Sequence, residues 1–93
     1  MGEYRVFLRR SVGNDLERTP KRDLKRILER IRPLVQEPRP PGHEKLAGED
    51  RYRIRQGDYR IVYSVQDDDR SVWIVKVGRR RDIYNRLTKR VDR

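Results

Sequence analysis

The segment from residue 51 to residue 66 constrains the fold of this chain more than any other stretch. Two runs, Tyr52–Arg55 and Tyr59–Gln66, flank the turn-forming sequence Gln56-Gly57-Asp58. Within each run apolar side chains recur at alternate positions, which is the period of a strand with one buried face. Glycine beside aspartate is typical of tight hairpin turns. The segment therefore predicts an antiparallel hairpin with one apolar face and one face that carries arginine.

Two further stretches predict strands, one before and one after this hairpin. Glu3–Arg9 alternates apolar and charged side chains. Ser71–Val77 is rich in β-branched residues and is closed by Gly78. Lys45–Gly48 is interpreted as an edge segment that leads into the hairpin. We therefore expect a first strand that is followed, later in the chain, by three or four consecutive strands.

The region between the first strand and the hairpin predicts a long helix. Thr19-Pro20 provides a helix cap followed by proline at the first helical position. The apolar side chains that then recur at spacings of three and four residues are Leu24, Ile27, Leu28, Ile31, Leu34 and Val35. Such a stripe buries one face of a helix. Pro33 predicts a kink or an early end near Arg32.

Weaker signals indicate a short helix before this one and another at the C-terminus. Ser11–Arg18 carries Val12 and Leu16 four positions apart, and the same spacing runs from Ile83 to Val91. The predicted order is β-α-α-β-β-β-α. It corresponds to an α+β fold in which two N-terminal helices pack on a mostly antiparallel four-stranded sheet. A chain of 93 residues is expected to form a single domain, residues 1–93.

The balance of charge narrows the possible partners. The chain has 25 Lys and Arg residues against 15 Asp and Glu, a formal net charge of +10. Residues 51–93 hold 13 basic and 6 acidic side chains, so +7 of the charge lies in the second half. Such a field attracts phosphate backbones or an acidic protein. Cysteine is absent and no apolar run is long enough to span a membrane, so we expect a cytoplasmic protein without membrane contact.

Arginine is the residue type with the most chemical content in this sequence. If the apolar face of the hairpin packs on the helices, Arg53, Arg55 and Arg60 project together from the open face. The loop Arg79–Arg81 could close the same patch. Guanidinium groups fork onto phosphate oxygens, so a phosphate clamp is one interpretation. With 43% of its residues charged, the chain could instead expose these arginines as a solvated face without chemistry.

No metal site and no cofactor is expected from the sequence. The single histidine, His43, has no neighbouring ligands at metal-binding spacing. Asp67–Asp69 lacks further ligands and is interpreted as a turn between two strands.

Three segments together resemble the RelE toxins of the RelE/ParE superfamily. They are Lys45–Gly48, Tyr52–Val65 and Val77–Tyr84, and the order of elements is similar over nearly the whole chain. The resemblance implies a ribosome-dependent endonuclease that cuts mRNA in the decoding site. In that family the 2′-hydroxyl of the RNA attacks the phosphate and no metal takes part.

The resemblance also implies roles for individual residues. Arg53 and Arg55 take the places of two basic residues beside the scissile phosphate, and Arg60 resembles the arginine that binds this phosphate. Arg80 resembles a second arginine of the cleft, and Tyr84 resembles a tyrosine that stacks on or orients a base. The basic residues expected to contact RNA or the ribosome are Lys21, Arg22, Lys25, Arg26, Arg79 and Arg81.

The chain departs from the family pattern at two of these positions. Family members carry lysines where this sequence has Arg53 and Arg55, and arginine cannot lose its proton at neutral pH. The group that takes the proton from the 2′-hydroxyl is therefore left open. The expected partners are the ribosome, mRNA and an acidic RelB-like antitoxin that covers the basic surface.

Two other functions are compatible with the sequence. One is a ParE-like toxin that inhibits gyrase by binding it, and the other is a non-catalytic module that binds nucleic acid through its charge. The combination of Arg60, Arg80 and Tyr84 favours the RelE-type function over the gyrase-directed one.

Overall fold

A computed structural model describes residues 3–46 and 50–81 of the chain. Their elements, in order, are β1 (Arg5–Leu8), α1 (Arg10–Glu17), α2 (Lys21–Ile31), a 3-10 helix (Arg32–Val35), β2 (Glu44–Lys45), β3 (Arg51–Gln56), β4 (Tyr59–Gln66) and β5 (Ser71–Arg79). The α+β class and the two N-terminal helices are confirmed. The C-terminal helix predicted from Ile83 to Val91 lies outside the described residues.

The strands form one sheet in the order β1-β5-β4-β3-β2. The sheet has five strands, so the predicted number of four is one too few, because Glu44 and Lys45 pair with β3 as a short strand of their own. Strand β1 runs parallel to β5, and the other neighbours are antiparallel. The chain between the two strands of the parallel pair contains both helices and strands β2, β3 and β4, so a hydrophobic pattern along the chain does not reveal the pairing.

The hairpin that the sequence predicts is formed by β3 and β4. Gly57 adopts a φ of 60°, a conformation that glycine tolerates at the tip of a tight hairpin. Ile54 pairs with Ile61 and Tyr52 with Tyr63, and all four of these side chains are buried. The alternation therefore has the phase that the sequence predicts, with the apolar side chains towards the helices.

The core lies between one face of this sheet and the two helices. The buried residues from the helical segment are Val12, Leu16, Ile27, Ile31 and Leu34. Leu28, which the sequence places in the buried stripe, is exposed, because it lies one position past Ile27 on the outer edge of that stripe. Helix α2 ends at Ile31, and the chain then forms a 3-10 helix that contains Pro33. The early end predicted near Arg32 is therefore confirmed.

The proline-rich segment between the helices and β2 is tied to the sheet at two points. The buried hydroxyl of Tyr63 donates a hydrogen bond of 2.8 Å to the carbonyl of Pro38, and burial raises the pKa of Tyr63 to about 12. Arg39 forms a two-pronged ion pair with Asp67, the shorter contact being 2.9 Å. Asp67 also accepts a hydrogen bond of 2.7 Å from the hydroxyl of Tyr4. These contacts fix the path of the chain into β2.

Within the described part of the chain, no helix is both long and apolar enough to cross a membrane.

Candidate functional site

Three arginines project from the sheet face opposite the helices. Arg55 lies directly across from Arg60 in the β3–β4 register, and Arg53 is two positions further along β3. Their neighbours in the strands point the other way into the core, so the alternation of β3 and β4 fixes where these arginines point. The grouping of Arg53, Arg55 and Arg60 on one open face was predicted from the sequence and is present in the structure.

A fourth arginine joins them from the end of β5. The backbone N–H of Arg80 donates a hydrogen bond of 2.8 Å to the carbonyl of Asp58 at the hairpin turn. This bond holds Arg80 beside the tip of the β3–β4 hairpin. We call Arg53, Arg55, Arg60 and Arg80 the arginine cluster.

The positive charges of the other arginines in the cluster act on Arg60. Partial burial, followed by the positive charges of Arg55, Arg80 and Arg53, lowers the pKa of Arg60 below its ordinary value. Its Nη1 donates hydrogen bonds of 2.9 Å to the carbonyls of Gly57 and Tyr59, which hold the guanidinium over the turn. An arginine does not become neutral at physiological pH, so the repulsion persists until an anion enters. The arrangement therefore favours binding of a phosphate.

Among residues 3–46 and 50–81, the carboxylate that pairs with the cluster is that of Glu44, which the sequence pattern does not indicate. Oε1 of Glu44 lies 2.9 Å from both Nε and Nη2 of Arg53, and Oε2 lies 3.9 Å from Nη2 of Arg55. The hydrogen bond from Arg53, together with its charge, lowers the pKa of Glu44. Glu44 is thus ionised at neutral pH. The signal that could have found it is the pairing of β2 with β3, which sets Glu44 opposite Arg53.

The basic residues predicted to contact RNA or the ribosome divide into two groups. Lys21, Arg22 and Lys25 are exposed on α2, which packs on the sheet face opposite the arginine cluster. The structure therefore does not bring them together with the cluster. Arg26 and Arg79 line a small cleft beside the hairpin turn, with carboxylates on its walls.

The arginines at the end of β5 and directly after it lie in different surroundings. The Arg79 guanidinium lies 5.6 Å from the centre of the buried Tyr59 ring, a cation–π contact on the helix side. Arg79, Arg80, Arg81 and Asp58 together line a shallow depression beside the cluster. Tyr84, predicted to contact a base, lies outside the described residues.

His43 has a structural role. Its Nδ1 lies 2.8 Å from the carbonyl of Pro40, which can only accept a hydrogen bond, and its ring packs edge-on against Tyr52. Among residues 3–46 and 50–81, no group of three or more His, Cys, Asp or Glu side chains is placed to hold a metal ion.

Comparisons with known proteins identify the family of this chain. The family described as the ParE toxin of the type II toxin–antitoxin system parDE matches residues 3–84. The chain is 35% identical to RelE1 of Methanocaldococcus jannaschii over 86 residues, which cover 88% of this chain and 96% of that protein. It is 33% identical to toxin RelG of Mycobacterium tuberculosis over 87 residues, covering 89% and 98% respectively.

A solved structure shows the same architecture. The archaeal RelE–RelB complex from Pyrococcus horikoshii OT3 superposes with a TM-score of 0.73 and 36% identity, covering 84% of this chain and 96% of that chain. The chain therefore belongs to the RelE/ParE superfamily, as a RelE-type toxin of a toxin–antitoxin system.

Proposed function

We propose that this toxin is an endoribonuclease that cuts mRNA in the decoding site of the ribosome, without a metal ion. The observation that carries the proposal is the arginine cluster, whose four arginines lie together opposite the helices, with the ionised carboxylate of Glu44 paired to Arg53 at 2.9 Å and to Arg55 at 3.9 Å. A phosphodiester in the transition state of cleavage carries extra negative charge, which preorganised cations stabilise. The relatives that share the fold are RelE toxins, which supports the same function here.

In the proposed reaction, the 2′-oxygen of the RNA forms a bond to the adjacent phosphorus. The bond from phosphorus to the 5′-oxygen breaks, which leaves a 2′,3′-cyclic phosphate and a 5′-hydroxyl. Arg60, whose pKa is lowered by burial and by the charges of the neighbouring arginines, binds the non-bridging oxygens of the phosphate. Arg80 approaches from the hairpin tip and stabilises the same charge, while Tyr84 orients a base.

The proton of the 2′-hydroxyl requires an acceptor, and arginine is not one. Glu44 supplies a carboxylate on the same face, held 2.9 Å from Arg53. We assign it the role of general base, with Arg53 and Arg55 fixing its orientation. The lowered pKa of Glu44 keeps it deprotonated but makes it a weaker base, so catalysis depends on positioning as much as on basicity.

The partners follow from the charge and from the relatives. Solved relatives are complexes of RelE with RelB, from Pyrococcus horikoshii OT3 and, under the name RelBE2, from Mycobacterium tuberculosis. We infer that an acidic RelB-like antitoxin binds this chain and neutralises its net charge of +10. Because the proposed cleavage takes place on ribosomes, we infer that the toxin acts in the cytoplasm. Lys21, Arg22, Lys25, Arg26, Arg79 and Arg81 are proposed to contact RNA or the ribosome.

Primer extension on an mRNA in a purified translation system tests this function. Wild-type protein is expected to give cuts within the codon in the decoding site when ribosomes are present, and no specific cuts on free RNA. Arg60→Ala should greatly weaken the cuts. Arg32→Ala, which removes an exposed arginine from the 3-10 helix on the other side of the sheet, is the matched control and should cut normally.

The second candidate function is inhibition of gyrase, because the description of the matching family names the ParE toxin. A gyrase supercoiling assay separates the two functions. Inhibition of supercoiling by a protein that gives no mRNA cuts with ribosomes would replace the nuclease proposal. RNA binding without cleavage or gyrase inhibition would indicate a non-catalytic module instead.

A further inference from the structure

An aromatic pair lies exposed on the same sheet face as the arginine cluster. Phe7 of β1 is in register with Trp73 of β5, and their rings stack with centres 4.8 Å apart and planes 22° from parallel. Their exposed fractions are 37% and 39%. Large aromatic side chains are ordinarily buried, so a stacked pair exposed to this degree requires an explanation.

The pair belongs to a row of side chains that crosses the sheet. Trp73 lies opposite Ser64 of β4, and Ser64 lies opposite Arg51 of β3. The buried neighbours Val72 and Ile74 point into the core, which sets Trp73 on the open face. Starting from the β1 edge of the sheet, the row therefore contains the rings of Phe7 and Trp73, the hydroxyl of Ser64 and the guanidinium of Arg51.

The row lies within reach of a strand of RNA bound at the arginine cluster. Ser64 follows Arg60 by four residues along β4, which corresponds to about 13 Å at the rise of an extended strand. Arg5, two positions before Phe7 on β1, is exposed and belongs to the same face. Both helices pack on the opposite face through Val12, Ile27 and their neighbours. About 13 Å along β4 therefore separates Arg60 of the arginine cluster from the row of side chains that contains the aromatic pair.

We propose that Phe7 and Trp73 form a stacking platform for a base of the single-stranded RNA substrate, at a distance from the scissile phosphate. This inference rests on the proposed nuclease function and names a second contact with the same substrate. Aromatic faces bind unstacked bases of any sequence, and arginines beside them bind the adjoining phosphates. Arg5 and Arg51 flank the pair in the positions that this combination requires.

The surroundings favour RNA over a protein segment as the occupant. Aromatic anchors of protein interfaces are surrounded by further contacts that exclude water. On this face the neighbours of the pair are Ser64, Arg51 and Arg5, whereas the exposed Leu8 that follows Phe7 falls on the other side of the β1 alternation. Such an alternation of aromatic and cationic groups matches the alternation of base and phosphate along one nucleic acid strand.

Trp73 is the single tryptophan of the chain, so its fluorescence reports directly on the platform. The full chain is titrated with a 2′-O-methyl octanucleotide, which cannot be cut because it lacks the attacking hydroxyl, and with a dinucleotide, which is too short to span from the cluster. The octanucleotide is expected to quench Trp73, and the dinucleotide is not. Phe7→Ala should raise the dissociation constant for the octanucleotide roughly tenfold, the effect of losing one stacked base.

Two matched variants keep the measurement interpretable. Phe7→Tyr retains an aromatic face and should bind like the wild type, while Phe7→Leu retains apolar bulk without the ring and should bind like Phe7→Ala. Leu28→Ala removes an exposed apolar side chain from α2 and should leave binding unchanged. Equal affinity of wild type, Phe7→Ala and Phe7→Leu for the octanucleotide would overturn the platform.

Primer extension on ribosomes, performed in parallel, separates this inference from the proposed function. If the wild type cuts mRNA but Phe7→Ala binds the octanucleotide as tightly as the wild type, the platform is refuted and the nuclease stands. If the wild type never cuts but quenching depends on Phe7, the nuclease is refuted and the platform stands. Quenching by ribosomes or by a co-purified acidic antitoxin, with none by the octanucleotide, would assign the pair to that partner and overturn the inference.

Discussion

Glu44 and Arg53 face each other across the β2–β3 pair, with Oε1 of the carboxylate 2.9 Å from two nitrogens of the guanidinium. This contact sets the only carboxylate known to touch the arginine cluster, within residues 3–46 and 50–81, at the edge of its positive field. The positive charge of the arginine cluster can therefore hold both a phosphate and a proton acceptor, Glu44, on one surface.

Replacement of Arg60 should reduce the rate of cleavage far more than the affinity for RNA. Arg60→Ala is expected to lower the single-turnover rate on ribosomes by about 10²–10³-fold, the usual effect of removing one preorganised charged donor. Arg60→Lys should recover only part of this loss, because an ammonium group cannot fork onto two phosphate oxygens. Equal rates for Arg60→Lys and the wild type would show that only the charge matters.

The role of Glu44 predicts a particular pH profile. Arg53 holds the pKa of Glu44 below its ordinary value of 4.5, and a general base acts in its deprotonated form. Because Glu44 stays deprotonated between pH 5 and 8, its titration should leave the single-turnover rate unchanged in this range and lower it only at more acid pH. In Glu44→Gln the rate should drop by roughly 10²–10⁴-fold. The residual rate should then rise steadily with pH, because hydroxide replaces the missing base.

An alternative role for Glu44 gives a different result. If Glu44 only orients Arg53, the Glu44→Gln variant should keep both the wild-type pH profile and most of its rate, since the amide oxygen still accepts a hydrogen bond. That outcome would remove Glu44 from the chemistry and leave it as a positioning residue.

Asp67 should make the stability of the fold depend on acid pH. Hydrogen bonds from Arg39 and Tyr4 lower the pKa of Asp67 below its ordinary 3.8. A lowered pKa in the folded state contributes stability that is complete well above pH 3.8 and is lost as pH falls through the folded value. Asp67→Asn should therefore lower the Tm at pH 7 and change it little at pH 2. A Tm difference of the same size at both pH values would contradict the assignment.

Tyr63→Phe should loosen the proline-rich segment that leads into β2. The substitution removes the donor to the Pro38 carbonyl while it keeps the ring in the core, so the free energy of unfolding should fall by about 1 kcal/mol. Urea denaturation measures this change. Ser64→Ala, a substitution on the open face of the same strand, is a suitable comparison and should have a smaller effect. A neutral Tyr63→Phe would show that the hydrogen bond does not anchor the segment.

The hairpin and its arginine face could be predicted because their cause is local. Alternation along Tyr52–Arg55 determines which side chains share a face, and the glycine turn at Gly57 sets the register of β3 against β4. The early end of α2 near Pro33 was predictable for the same reason. Each of these features depends on residues that lie close together in the sequence.

The remaining features depend on contacts between distant segments. The pattern of Glu3–Arg9 predicts a strand but not its parallel partner, so the stacking of Phe7 on Trp73 could not be predicted. Glu44 was overlooked because a two-residue strand leaves no periodic signal, and its role is visible only once β2 pairs with β3. Long-range pairing, not local propensity, decides both cases.

The measurement that tests the proposed chemistry most directly uses ribosomes programmed with an mRNA that carries a single 2′-deoxynucleotide at the mapped cleavage position. Attack by the 2′-hydroxyl predicts rapid cutting of the all-ribose mRNA, with a 2′,3′-cyclic phosphate at the new end, and no cutting at the deoxy position. Cutting of the deoxy-substituted mRNA at the same position and rate would contradict attack by the 2′-hydroxyl, and with it the roles assigned to Glu44 and Arg60.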